Sequence, residues 1–421
     1  MKKNYFLGLI ALTALSVTSC TNDEVVEAMP QQQAIEFGTY LGRDAQARNA
    51  QLTTDNFENF GVLAYYTGQN EWNSLGTNNA WPHGYGVDVA TPNFMYNQLV
   101  EVTQPVAPAT ERTYSYSPLK YWPTTKNDKI TFFAYAPFED FTNSPTYNIT
   151  AMSVKTAKGL PTITYKIDGD NLDKQVDFVA DALIDEKRNA ATDPDATSRE
   201  VEFKLNHELT RVSFTAQLDK DINDGSNNKS TVNIKSIKFG GSKNFLQGTY
   251  TFADENDNLT VNPQKINRGS WSFTGVTATY LEIVDNKLMS TDDTSLNGYV
   301  VSGVRLIDNT QIILFGENNY LFLLPANGVE GLGVQGDITL TITYDIVTED
   351  TNLNLGYSVT ETTKVIQLPV GTLAQGKAYN YDLTFYLNQI VFKATVSTWD
   401  TTSLGQNQNV DWNDTDTNLS L

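Results

Sequence analysis

Few residues in this 421-residue sequence are of the types that do covalent chemistry, and they stand apart from one another. The single cysteine, Cys20, lies in the stretch LSVTSCTNDE. A lone thiol forms no intramolecular disulfide, but it is a ready nucleophile for a covalent attachment. The two histidines are His83 in WPHGYG and His207 in LNHELTR. Neither has a second histidine at zinc-protease spacing, and no G-x-S-x-G elbow occurs. His207 falls where a strand pattern breaks and reads as structural, and His83 falls in a loop. Carboxylate neighbours such as Asp292-Asp293 exist, but Asp and Glu total 49, so no pair stands out as an acid–base couple. DENDN, from Asp254 to Asn258, starts like a calcium loop. Leu259 stands where glycine is needed and Lys265 where the bidentate glutamate is needed, which leaves an ordinary turn. Trp81 and Tyr85 in NAWPHGYG, and Trp122 in LKYWP, are of the type that stacks on sugar rings or packs a long loop. No glycine-rich phosphate loop is present. The expectation is a non-enzyme with no cofactor and no metal.

Cys20 closes an address. Met1-Lys2-Lys3 is a basic start, and Tyr5 to Leu15 is an apolar run of signal-peptide length. The run is shorter than the roughly 20 residues that cross a bilayer. Val17-Thr18-Ser19 then places small residues before the thiol. This resembles the lipobox of bacterial lipoproteins, where the signal peptide is cut before the cysteine and the thiol carries diacylglycerol. Each buried CH₂ of such a chain contributes about 0.8 kcal/mol to membrane binding. Residues 1–19 are expected to be signal peptide and 20–33 an acidic tether.

The composition states what must position these residues. Tyr (21) and Phe (20) are abundant, with Asn, Thr, Asp and Gly alongside. Aromatic and β-branched residues suit a pleated sheet, whereas Asn, Asp and Gly suit tight turns. A net charge of −20 excludes nucleic acid and anionic headgroups as partners.

Alternation begins at Ala34. AIEFGTYLG sets Ile35, Phe37 and Thr39 on one face and Glu36, Gly38 and Tyr40 on the other. NFGVLAYYTG and KITFFAYAPF also read as strands, with Thr67 to Thr113 between them as a long loop excursion. QVDFVADALID is compatible with a strand or a short helix. VEFKLNHELTRVSFTAQLD alternates in two phases, broken at HELT, as a bulge or single turn produces. KDINDGSNNKS marks a boundary. Beyond it TVNIKSIKFGG, GTYTF, ENNYLFLLP, DITLTITYDIV and YSVTETTKVIQL read as strands. AYNYDLTFYL and IVFKATVSTW close the series as a hairpin about Asn388-Gln389. The predicted fold is all-β, two tandem β-sandwich domains over 34–221 and 222–421, the second ending in a polar tail.

Several phrases in order carry a family resemblance: the lipobox, IEFGTYLGR, SPLKYWPTTKNDKITFFAYAP, FKLNHELTRVSF and GKAYNYDLTF…VSTWD. Together they resemble the fimbrillin-like proteins of Bacteroidetes. The resemblance implies two transthyretin-like β-sandwich domains, export as a lipoprotein to the outer-membrane surface, and assembly with other pilin subunits into a type V pilus. It also implies that an arginine-specific protease removes the first strand from stalk subunits, here at Arg43 or Arg48 in GRDAQARNA. Ile35 and Phe37 would then vacate a groove that a neighbour's strand fills. IVFKATVSTW, with Ile390, Phe392, Ala394 and Val396 on one face, has the pattern of such a donor and equally of an ordinary last strand. The tail after it is polar and a poor donor. Against stalk assembly stands the reading of a non-polymerising surface lipoprotein that binds host or bacterial glycans through Trp81, Tyr85 and Trp122. Cys20→Ala is expected to abolish fractionation with membranes; protein that persists in the membrane fraction would refute lipidation at this thiol.

Overall fold

The computed structural model describes residues 33–41, 52, 58–72, 90–105, 112–125, 127–142, 148–169, 174–188, 200–223, 229–255, 268–284, 295–296, 299–300, 303–315, 320–325, 337–368, 373–398 and 408–412. Among them no α-helix occurs, and the regular structure is β throughout.

Sheet I has seven strands. In spatial order they are β1 (Glu36–Leu41), β9 (Glu200–His207), β8 (Val179–Lys187), β5 (Lys129–Ala136), β2 (Asn59–Gly68), β3 (Met95–Thr103) and β4 (Thr113–Ser115). Sheet II runs β13 (Ser270–Ser272), β12 (Gln247–Thr251), β7 (Thr162–Lys166) and β6 (Ile149–Met152). Sheet III runs β18 (Ile312–Ile313), β10 (Thr210–Leu218), β22 (Lys377–Phe385), β23 (Ile390–Thr398) and β24 (Gln408–Trp412), with β19 (Leu321–Leu323) also paired to β10. Sheet IV runs β14 (Leu281–Val284), β11 (Ser230–Gly240), β20 (Thr339–Glu349) and β21 (Tyr357–Gln367), with β17 (Val304–Leu306) also on β11. β15 (Ser295–Leu296) and β16 (Tyr299–Val300) pair with each other.

The centre of sheet I is apolar on both faces, and its sequence shows why. KITFFAYA of β5 has no polar alternation and is buried at every position, as in strands covered on two sides. One face packs on sheet II through Tyr65, Phe133, Tyr135, Tyr165, Tyr250 and Trp271, mostly edge to face. The other face carries Phe60, Val62, Phe132, Val201, Phe203 and Leu205. The sheet curls over this face until its ends approach. Ile35 N–H donates to Lys120 O and Trp122 N–H to Gln33 O, both at 2.9 Å, and Ala34 bridges Tyr121. Sheets III and IV enclose a separate core with Phe214, Ile234, Ile237, Tyr344, Tyr381 and Phe392.

The two sandwiches are woven rather than strung. The sheets do not divide at 221/222. β10 pairs in parallel with β22 in the second sandwich. β12, from the far side of the expected boundary, pairs with β7 in the first. The phase break at HELT is therefore no bulge; there the chain leaves sheet I and enters sheet III. Its carbonyls and acids are held by side chains from three segments. Asp177 Oδ2 lies 2.7 Å from His207 Nδ1, and Trp271 Nε1 donates to Glu208 O at 2.8 Å. Arg268 donates to His207 O, and Gln375 to Glu208 Oε2 and to Gly269 O. Gly376, at φ +63°, lets the Arg268 guanidinium pass where a Cβ would sit, and its N–H donates to Leu209 O at 2.9 Å.

QVDFVADALID, compatible with a strand or a short helix, holds strand β8 from Val179 onward. Two local expectations change. The span from Thr67 to Thr113 includes the nine-residue β3. A bulge opposite Val62–Ala64 puts Asn97 at φ +47° and moves Met95 onto the face of Val100 and Val102, which splits the apolar signal. The last hairpin turns at Leu387-Asn388 rather than Asn388-Gln389, because Tyr386 N–H donates to Gln389 O at 2.8 Å. Asp254 and Glu255 follow β12 at a bend, and the rest of DENDN lies outside the described residues, as do His83, Asp292 and Asp293. A fragment of residues 34–221 lacks β12 and β13 and strands β10 without its sheet. It is expected to show no cooperative thermal transition and no near-ultraviolet circular dichroism; a cooperatively folding fragment would refute the woven architecture.

Candidate functional site

The first strand completes the concave face of sheet I. Alternation turns Ile35 and Phe37 inward, where they are 1% and 3% exposed, and buries Thr39 beside them. Phe37 stacks on Phe203 (6.0 Å between ring centres) and meets Phe60 (6.2 Å) and Phe132 (6.1 Å) edge on. Tyr116 closes over it at 5.1 Å. Burial of each such side chain contributes about 1.5–3 kcal/mol.

The backbone of β1 is held unequally on its two sides. Towards β9 it makes a parallel ladder from Glu36↔Glu200 to Leu41↔Leu205. Towards β4 the direct backbone bonds are at the start, near Gln33 and Ile35. Further along, tyrosine hydroxyls take the place of a neighbouring strand. Thr39 N–H donates to Tyr114 Oη at 3.1 Å, and Thr39 Oγ1 lies 3.0 Å from the same oxygen. Tyr116 Oη donates to Ile35 O at 2.9 Å and accepts from Lys120 N–H at 3.3 Å. Burial holds the Tyr116 hydroxyl above the usual tyrosine range, opposed in part by the Lys120 N–H bond, so it stays a donor at neutral pH. Removal of β1 would therefore open an apolar groove floored by Phe60, Phe132 and Phe203, with an unpaired backbone edge along β9.

The structure separates the remaining sequence candidates. Trp122 is 2% exposed and packs on Phe132, so it is a core residue and not a surface sugar contact. Its stretch LKYWP follows a polar, proline-rich run that looks like loop, and only the closure of sheet I over it decides its burial. Ile390 and Phe392 belong to the core of the second sandwich. Val396 lies opposite Tyr379 in the ladder. Their strand, β23, is flanked by β22 and β24, so it is not an edge strand. Cys20, Arg43, Arg48, Trp81 and Tyr85 lie outside the described residues. Sequence reasoning missed Tyr114 and Tyr116, although their spacing of two in TYSYS places both on one face of an extended segment.

Asp177 spends its oxygens on His207 Nδ1 and on the N–H groups of Phe178 and Leu52, which is a structural satisfaction of a buried carboxylate. A cleft of about 770 Å³ lies between sheet II and β14, lined by Lys166, Asp168, Tyr280 and Glu282 among others. Its Asn148 amide is committed to Lys166 O and Val176 N–H. Among the described residues no group of three or more His, Cys, Asp or Glu is placed to hold a metal ion.

Residues 47–399 match the model of the family described as Fimbrillin-like. The chain is 28% identical over 391 residues to the fimbrium subunit Fim1C of Phocaeicola vulgatus, covering 91% of this chain and 92% of that protein. It is also similar to the crystal structure of a fimbrial protein from Bacteroides vulgatus, with a TM-score of 0.63, 26% identity, and coverage of 87% of this chain and 99% of the other. Phe37→Ala is expected to lower unfolding stability by about 3–5 kcal/mol through lost burial and a cavity between four rings. Denaturant titration followed by tyrosine fluorescence checks this, and a loss under 1 kcal/mol would show that β1 is loosely seated.

Proposed function

The chain belongs to the fimbrillin-like family, and from this premise we propose that it is a structural subunit of a surface fimbrium that joins its neighbours by strand exchange at the β1 groove. One observation carries the reading: β1 is a single parallel strand at the end of sheet I, yet its side chains fill the centre of a core. A strand so placed is removable in one piece, and its loss leaves both an apolar slot and a row of backbone donors and acceptors. A strand from another subunit satisfies both at once.

Lipidation at Cys20 holds the precursor at the outer membrane. Cleavage at Arg43 or Arg48, just after β1, detaches mooring and strand together. Although the tail as a whole is polar, the donor is better sought in its strand β24 than in β23. Withdrawing Ile390 and Phe392 would open the second core, whereas β24 pairs with β23 alone at the edge of sheet III. Its Val410-Asp411-Trp412 repeats the apolar–x–aromatic spacing of Ile35-Glu36-Phe37. With Trp122 buried, no described residue favours a glycan-binding reading over assembly.

Limited trypsin treatment of the purified precursor is expected to cut at Arg43 or Arg48 and to yield a ladder of oligomers on size analysis. Arg43→Ala combined with Arg48→Ala should block both. A cut product that stays monomeric at high concentration would overturn the strand-exchange reading.

A further inference from the structure

We infer that Tyr114 and Tyr116 form a clasp that seats whichever strand occupies the β1 groove, by bonding its main chain rather than its side chains. The inference rests on the strand-exchange reading for the incoming strand, but for β1 itself it stands on the geometry alone.

In a parallel pair, alternate residues turn both backbone groups towards one neighbour. Here Ile35 and Thr39 turn theirs away from β9, towards β4. An ordinary sheet would answer with a second backbone ladder. β4 is only three residues long and is already paired on its other side with β3. Beyond the backbone bonds near Gln33 and Ile35, this segment reaches β1 through two side chains, Tyr114 of β4 and Tyr116 just after it. Tyr116 Oη takes the Ile35 carbonyl, and Tyr114 Oη takes the Thr39 N–H. The two phenols thus supply the acceptor and donor that a missing strand would have supplied, at positions four residues apart on β1.

Two consequences follow from the chemistry. Backbone N–H and C=O groups are common to every sequence, so the clasp receives a strand unlike β1 as readily as β1 itself. Past the backbone bonds at Gln33 and Ile35, hydroxyl tips part from the strand without unzipping a ladder, so this side of the groove opens more easily than the β9 side, which keeps register. Thr39 adds a side-chain arm, because its Oγ1 shares the Tyr114 hydroxyl at 3.0 Å.

Hydrogen exchange on the intact full-length chain tests the clasp without any assembly step. Tyr114→Phe and Tyr116→Phe keep the rings and remove only the hydroxyl tips. Together they are expected to raise amide exchange in residues 35–41 by about five- to tenfold. Amides of β2 and β5 should stay at their original rates, and Thr39→Val should give a smaller, local rise. Unchanged exchange in β1, or an equal rise throughout the first sandwich, would overturn the clasp. Trypsin-treated samples extend the test to the incoming strand. Oligomers of the double variant should dissociate at lower temperature than those of the unmodified chain. Equal dissociation temperatures would overturn the clasp for the incoming strand. A ladder absent from the unmodified chain, with the local rise in exchange intact, would remove strand exchange and leave the clasp on β1 standing.

Discussion

Sheet I must be covered on both faces, and much of the architecture answers that demand. Phe133 and Tyr135 point one way from β5 while Phe132 and Ala134 point the other, so neither face tolerates water. A flat sheet would need two covering layers. This one receives sheet II on one side and curls over its own second face on the other. The curl leaves a slot along β9 that only a further strand can fill. β1 fills it, with Ile35 and Phe37 as the plugs. The first strand thus sits at one of the driest places of the described chain.

The same demand explains the weave between sandwiches. Sheet II needs β12 and β13, which lie after β11 of the second sandwich in the chain. The polypeptide must therefore cross between cores more than once, and the crossing at His207-Glu208 carries polar groups through a buried zone. These groups are answered by Arg268, Trp271 and Gln375. Such a satisfied network is costly to break, because removing one partner leaves the others desolvated and unpaired. The histidine that invites a catalytic reading is one member of that joint, held by Asp177.

Family membership fits this economy. Tyrosine hydroxyls on the β4 side and a full ladder on the β9 side hold the two margins of one groove differently; on the proposed strand-exchange reading the first would release a strand while the second keeps its place.

Much of this was legible in the residues. Alternation in AIEFGTYLG assigned the inward face of β1 correctly, and apolar or alternating runs marked β2, β5, β11, β20, β22 and β23, because burial on one or two faces leaves a local signature; β21 has no buried position and was marked by its β-branched residues. β3 was hidden because a bulge at Asn97 breaks the alternation that announces a strand. Trp122 stayed open between sugar stacking and loop packing, because partners distant in sequence bury it. The place of β10 and β12 was invisible for the same reason: pairing is a contact between segments, and nothing within TRVSFTAQL names Lys377–Phe385 as its neighbour. By itself, then, the sequence determined an all-β chain, the lipobox-like start and the two-faced first strand, since these depend on composition and local period. Tertiary structure alone decided which strands share a sheet, that β23 is interior while β24 lies at an edge, and that two tyrosines meet the backbone of β1. Those outcomes depend on how apolar faces from remote segments exclude water together.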